Sequence, residues 1–198
     1  MSTKFLTVAL FSLLSTSAKS DDIYLGEPGY GGTGCPSGSA SVTLSPDLKS
    51  LSILFDGFIV EAGGESGKSL ARKSCNLAIP VHVPSGMTIS VLKVDYRGFL
   101  SLPRGAESRF SAEYFFAGSV GPKMEKTFRG VKEDNFTLTN DLDLVSVVWS
   151  PCGKDVNLRI NTSLLLKTNR FLDEALSSLD SADIKAGMIY HLSWKRCL

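Results

Sequence analysis

The stretch Val156-Asn157-Leu158-Arg159-Ile160-Asn161-Thr162-Ser163-Leu164 alternates apolar and polar side chains with a period of two. Successive side chains of a strand point to opposite faces, so Val156, Leu158, Ile160 and Leu164 face a core and Asn157, Arg159, Asn161 and Ser163 face water. The same test turns Val145, Val147 and Trp149 inward, and Tyr190, Leu192 and Trp194 inward against His191, Ser193 and Lys195. Phe110, Ala112, Tyr114 and Phe116 share one face, which leaves Phe115 as the aromatic expected at the surface.

Outward from that stretch, β-branched and aromatic runs recur at 42–44, 51–60, 77–83, 88–102, 108–117, 124–129, 136–139, 144–149, 156–166 and 188–195. Turn residues separate them, as in Pro84-Ser85-Gly86, Pro103-Arg104-Gly105 and Pro151-Cys152-Gly153. About ten short strands between such turns predict an all-β fold, an antiparallel β-sandwich of jelly-roll or immunoglobulin-like type. The one helical pattern is 171–179, where Phe171, Leu172, Ala175, Leu176 and Leu179 fall near one face, so at most one short helix, or a coil, is expected there.

Residues 1–20 read as a signal peptide: Lys4 precedes an apolar run at 5–14, and Ala18-Lys19-Ser20 supplies a small-x-small cleavage site. That run falls short of the ~20 residues that span a bilayer, so no transmembrane segment is expected. Export places the protein outside the cell, in the periplasm if the source is a Gram-negative bacterium. With Lys4 and Lys19 removed, 21 basic residues become 19 against 20 acidic, a net charge of −1. Such a domain has no broad field for nucleic acid. Residues 21–38 form a Gly/Pro-rich lead-in expected to lack regular structure, and 39–198 a single sandwich domain.

Cys35, Cys75, Cys152 and Cys197 are an even set in an exported chain, which favours two disulfides. They lie too far apart, and His82 and His191 are too isolated, for a zinc site, so no cofactor or metal is expected. Of the three connectivities that four cysteines permit, pairing in sequence order closes two loops of about forty residues, each worth ~4 kcal/mol in the chain-entropy model. The matching frames Trp149-Ser150-Pro151-Cys152 and Trp194-Lys195-Arg196-Cys197 favour the second bridge. They predict two neighbouring strands that each insert a Trp into the core and are tied at their edge.

No catalytic set emerges. Ala62-Gly63-Gly64-Glu65-Ser66-Gly67-Lys68-Ser69 satisfies a loosened phosphate-loop pattern, yet Ser74, Cys75, Asn76 and Pro80 follow where the helix of a phosphate loop must start. It reads instead as a flexible hairpin connection. No serine sits in a Gly-x-Ser-x-Gly elbow. The pairs Asp141 and Asp143, Glu133 and Asp134, and Asp180 and Asp183 lack calcium-loop spacing and read as turn chemistry. Asn135-Phe136-Thr137 and Asn161-Thr162-Ser163 match the N-glycosylation pattern, which makes Asn135 and Asn161 candidate acceptors.

Taken in order, Gly34-Cys35-Pro36, Leu54-Phe55-Asp56, Cys75-Asn76-Leu77, Val83-Pro84-Ser85-Gly86, Asp95-Tyr96-Arg97-Gly98, Tyr114-Phe115-Phe116, Ser150-Pro151-Cys152 and Leu192-Ser193-Trp194-Lys195-Arg196-Cys197 resemble the secreted proteins grouped as domain of unknown function 4360. The resemblance implies an exported single domain and carries over no catalytic residue. By alternation Tyr96 shares a face with Val94 and Leu92, leaving Asp95 and Arg97 together on the other. Tyr30, Asp95, Arg97 and Phe115 are therefore the candidate ligand contacts. The expected role is a non-enzymatic module at a cell surface, with cell-wall polysaccharide or a surface protein as partner. The alternatives are a glycan hydrolase using two carboxylates roughly 5–10 Å apart, or an inhibitor or effector acting through the Gly-rich loops.

Overall fold

The computed structural model describes residues 21–142, 147–179 and 187–197; the leader, Asp143, Val145, Asp180, Asp183 and part of the expected 144–149 strand lie outside them. Two antiparallel sheets form the fold. In the six-stranded sheet, β1 (Tyr24–Leu25) and β2 (Gly29–Gly31) pair with one edge of β6 (Leu70–His82). The order then runs through β11 (Val156–Lys167) and β8 (Glu107–Phe116) to β9 (Lys123–Arg129). The seven-stranded sheet runs β3 (Ala40–Leu44), β4 (Ser50–Phe55), β13 (Met188–Arg196), β7 (Met87–Leu102), β12 (Ala175–Ser178) and β5 (Ile59–Ala62). Its seventh strand, β10 (Lys132–Asp141), pairs with β7.

The inward residues of both sheets make one core. Leu158, Ile160, Leu164 and Leu166 of β11 are buried, as the period-two reading requires. Aromatic contacts cross between the sheets: Tyr96 lies 4.8 Å from Phe110, and Tyr114 meets Tyr190 edge-on at 5.4 Å. Ser108 donates to Ser177 across the same gap, so both buried hydroxyls are satisfied. The disulfides are Cys35–Cys75 and Cys152–Cys197, the sequence-order pairing.

Several expectations are corrected. Phe171 to Leu179 is not helical: Asn169 Oδ1 accepts the amides of Phe171 and Asp173, Leu172 takes a left-handed φ of 57°, and Ala175–Ser178 becomes a strand between β5 and β7. The local Asx-type bonds compete with the helix, and the neighbouring strands supply the backbone partners. The lead-in is not featureless, since β1 and β2 cover the edge of β6. The 51–60 run breaks at Asp56-Gly57 into β4 and β5.

The 62–69 segment is no hairpin either, because β5 and β6 belong to different sheets. It docks on the 169–174 turn, where Gly64 N–H donates to the Leu172 carbonyl and Gly63 packs against Asp173, too close to admit a Cβ. Strand β6, not a helix, follows Lys68-Ser69.

The Trp-x-x-Cys frames sit on opposite flanks of β7 and not side by side. Trp149 bridges to Ser90 on one flank, Trp194 pairs with Ile89 on the other, and Cys152–Cys197 spans the strand end between them. Val148, not Trp149, packs on the core. Trp149 is half-buried with the Lys195 ammonium 3.9 Å above its ring, and Trp194 rests partly on the core while donating from Nε1 to the Leu48 carbonyl. Leu92 is exposed, not inward, because the ladder shifts between His191 and Leu192 and leaves Leu92 unpaired with β13 as the bulged residue.

A Cβ at Gly98 would meet the Ser178 carbonyl oxygen at 2.1 Å and the Phe136 ring at 2.6 Å. Gly98→Val is expected to destabilise the domain by at least the ~1–3 kcal/mol of an overpacked core. Chemical denaturation is the measurement; an unchanged midpoint would contradict this packing.

Candidate functional site

Burying the inner face of the six-stranded sheet forces its alternate residues outward, and the register brings them into rows. One row crosses Asn76, Asn161, Glu113 and Lys123; the next crosses Ser74, Ser163, Ser111 and Glu125; a third crosses Arg72, Leu165, Arg109 and Thr127. Neighbouring strands lie ~4.8 Å apart, so these groups form a closely spaced lattice of donors and acceptors. Two adjoining depressions of about 240 Å³ each make a shallow trough over them.

The trough is polar and nearly balanced in charge. Lys123 Nζ lies 2.7 Å from Glu125, and this hydrogen bond raises the lysine pKa and lowers that of the carboxyl. Arg109 reaches Glu107 at 3.8 Å. Among the described residues, the side-chain amides of Asn76 and Asn161 and the Arg72 guanidinium have no partner. Amides, hydroxyls and a free guanidinium on a rigid sheet offer both donors and acceptors to a polyhydroxylated ligand.

The expected contact residues do not converge. Tyr30 pairs opposite inward-facing Leu77, packs against the core and accepts the Gly38 amide on its hydroxyl. Phe115 is half-buried, a correction to its expected exposure: it lines a small apolar recess with Phe116, Pro122 and Leu142. Among the described residues, the exposed aromatics are Tyr24 and Phe171.

Asp95 and Arg97 do share a face, but on the other sheet. Asp95 accepts Thr139 Oγ1 at 2.7 Å and pairs with His191 Nε2 at 2.8 Å, with Lys93 at 3.6 Å. Burial works against its charge, and the Thr139 and His191 bonds with the nearby lysine outweigh it, holding the carboxyl below its ordinary range. Asn135 is exposed on β10, whereas Asn161 lies half-buried in the trough. Among the described residues no three His, Cys, Asp or Glu side chains converge as metal ligands, and no helix is long and apolar enough to cross a membrane.

His82, isolated in sequence, is clasped in space. Its Nε2 lies 2.7 Å from Asp21 and its Nδ1 2.7 Å from Asp155, so the imidazolium form donates to both carboxylates. Tyr24 stacks on the ring at 4.6 Å. The Asp21 hydrogen bond leads in raising the His82 pKa, and the same bond leads in lowering that of Asp21. The clasp fastens β1 to the end of β6.

A family model described as domain of unknown function (DUF4360) matches residues 21–197. A relative from Arthroderma benhamiae named "Uncharacterized secreted protein" is 31% identical over 178 residues, covering 89% of this chain and 73% of the relative.

Two acid-base limits follow for the clasp. Its histidine contribution is complete below the ordinary value of 6.5 and is lost as pH rises through the raised folded value. Its Asp21 contribution is present above the ordinary 3.8 and is lost as pH falls through the lowered folded value. Amide exchange in β1, corrected for intrinsic rates, should therefore be slowest between the ordinary values of 3.8 and 6.5 and quicken outside them towards the two folded values. His82→Phe should remove the alkaline limb, and a limb that persists in this variant would contradict the clasp.

Proposed function

Since the chain belongs to the family described as domain of unknown function (DUF4360), we propose that it is a secreted, non-enzymatic β-sandwich module that binds an extracellular polymer, with cell-wall polysaccharide as the ligand class. The polar trough on the six-stranded sheet carries this reading. It presents the unpartnered amides of Asn76 and Asn161 between the hydroxyls of Ser74, Ser111 and Ser163 and the charges of Arg72 and Glu113. The name of the Arthroderma relative supports export, as do the two disulfides, which belong to oxidising compartments.

The state of one trough carboxyl unsuits Glu125 to the proton-donor role of a glycosidase. A glycosidase needs a proton donor with a raised pKa, whereas Lys123 holds Glu125 down. The trough also sets a condition on the Asn161 sequon, since a glycan on its Nδ2 would occupy the ligand's place.

Co-sedimentation of the purified protein with insoluble chitin, β-glucan and cellulose tests this reading. Asn76→Ala with Glu113→Ala should weaken retention about tenfold, equivalent to ~1.4 kcal/mol, while Thr137→Ala on the other sheet leaves it unchanged. Mass spectrometry of the exported protein should find Asn161 unmodified. Absence of retention on every polymer, or release of soluble sugar, would sink the proposal.

A further inference from the structure

The hydrogen bonds along one edge of β6 have a gap. On that edge Ser74 accepts the Gly34 amide and takes its own partner from Thr33 Oγ1, while Pro80 accepts Gly26. At the other end Lys68 accepts Gly63. Lys68, Ser74 and Pro80 have one parity, so the N–H and C=O groups of Leu70 and Arg72 point the same way. The intervening parity faces β11, as the Thr168 amide on the Ser69 carbonyl shows. Among the described residues, Leu70 and Arg72 have no backbone partner on this edge. The gap from Lys68 to Ser74 spans ~20 Å of extended chain.

A cleft of about 410 Å³ lies over the gap, between β6 and the outer edge of β5. Leu179 N–H bonds to the Phe58 carbonyl, so Phe58, Val60 and Ala62 turn their backbone groups toward β12 and Glu61 turns its own toward the cleft. Ile59 and Leu70 are exposed at its rim, and Lys68, Arg72 and Lys73 outnumber Glu61, with no ion pair among the described residues holding any of the four.

The geometry points to a β-strand-addition site in which an extended acidic peptide segment of a partner protein pairs with Leu70 and Arg72 of β6. Unpaired edge groups supply the main-chain hydrogen bonds of such complexes, and alternate side chains supply selectivity. Cations on a free edge discourage pairing between like copies, and the same charge selects an acidic strand. The site adjoins the trough at Arg72, which lines both, but its backbone pairing does not depend on the ligand proposed there.

The test uses the full folded protein and an N-acetylated hexapeptide of alternating glutamate and valine, read by calorimetry and by amide exchange. Saturable binding below about 1 mM, with exchange slowed at Leu70 and Arg72, is the expected result. N-methylation of alternate peptide residues should weaken binding at least tenfold, as should Arg72→Glu with Lys73→Glu. Leu70→Pro removes one edge donor at the parity where the chain already carries Pro80, so it should fold and bind more weakly. The N-methylated peptide decides the matter on unaltered protein even if that variant fails to fold. No saturable binding would overturn the proposal. Equal binding of the N-methylated peptide, or of polygalacturonate with no protection at Leu70 and Arg72, would also overturn it by reducing the cleft to a general anion patch.

Discussion

The backbone pairing of β7 is the constraint on which the seven-stranded sheet rests. Its first part pairs with β13 and its last with β12 along one flank, while β10 and the Trp149 bridge occupy the other. The start of the strand is fastened from both sides. Ser150 Oγ accepts the Ile89 amide, Thr88 donates to the Ser150 carbonyl, and Cys197 and Gly153 donate to Gly86 and Met87. Cys152–Cys197 closes the same end, so its cross-link guards the register of the strand that most neighbours share. Gly98 shows how tight that arrangement is, since the crossing of β12 leaves no room for a side chain.

Burial sets the outer face of the second sheet. Its middle strand, β11, turns Leu158, Ile160, Leu164 and Leu166 into the core with Thr162 among them, its hydroxyl donating to the Cys75 carbonyl. Once that face is committed, Asn161 and Ser163 have only the outer face to occupy. The same holds for β6 and β8 on either side, so the trough is a by-product of core formation at three strands in register. Rigid backing of this kind keeps polar groups in place without ordering them at the moment of binding.

The lead-in has a more active part than a tether. Cys35–Cys75 and the His82 clasp hold it against β6 at two places, and β1 and β2 satisfy part of an edge that would otherwise invite pairing. Gly34 fits this role because its missing side chain lets the backbone lie on the Phe58 ring. The coverage stops before Arg72, which leaves that stretch of the β6 edge open.

Alternation along the chain determined the strands of β11, β8 and β13, the inward residues of their core, and the outward placing of Asn161 and Ser163. These follow from period two alone, which needs no neighbour. The cysteine pairing was legible for a similar reason, as loop length depends on sequence separation. Tertiary structure alone decided what a strand becomes beside its neighbours. It made Ala175–Ser178 a strand against an amphipathic helical pattern, because β5 and β7 offered backbone partners. It moved Trp149 out of the core through a one-residue shift in parity, and it drew Asp21 and Asp155 onto His82 from 61 and 73 residues away. It joined Asn76, Asn161, Glu113 and Lys123 into one row, although no spacing along the chain relates them. Register between strands is set by long-range pairing and packing, and a single strand carries no record of which neighbour lies across it.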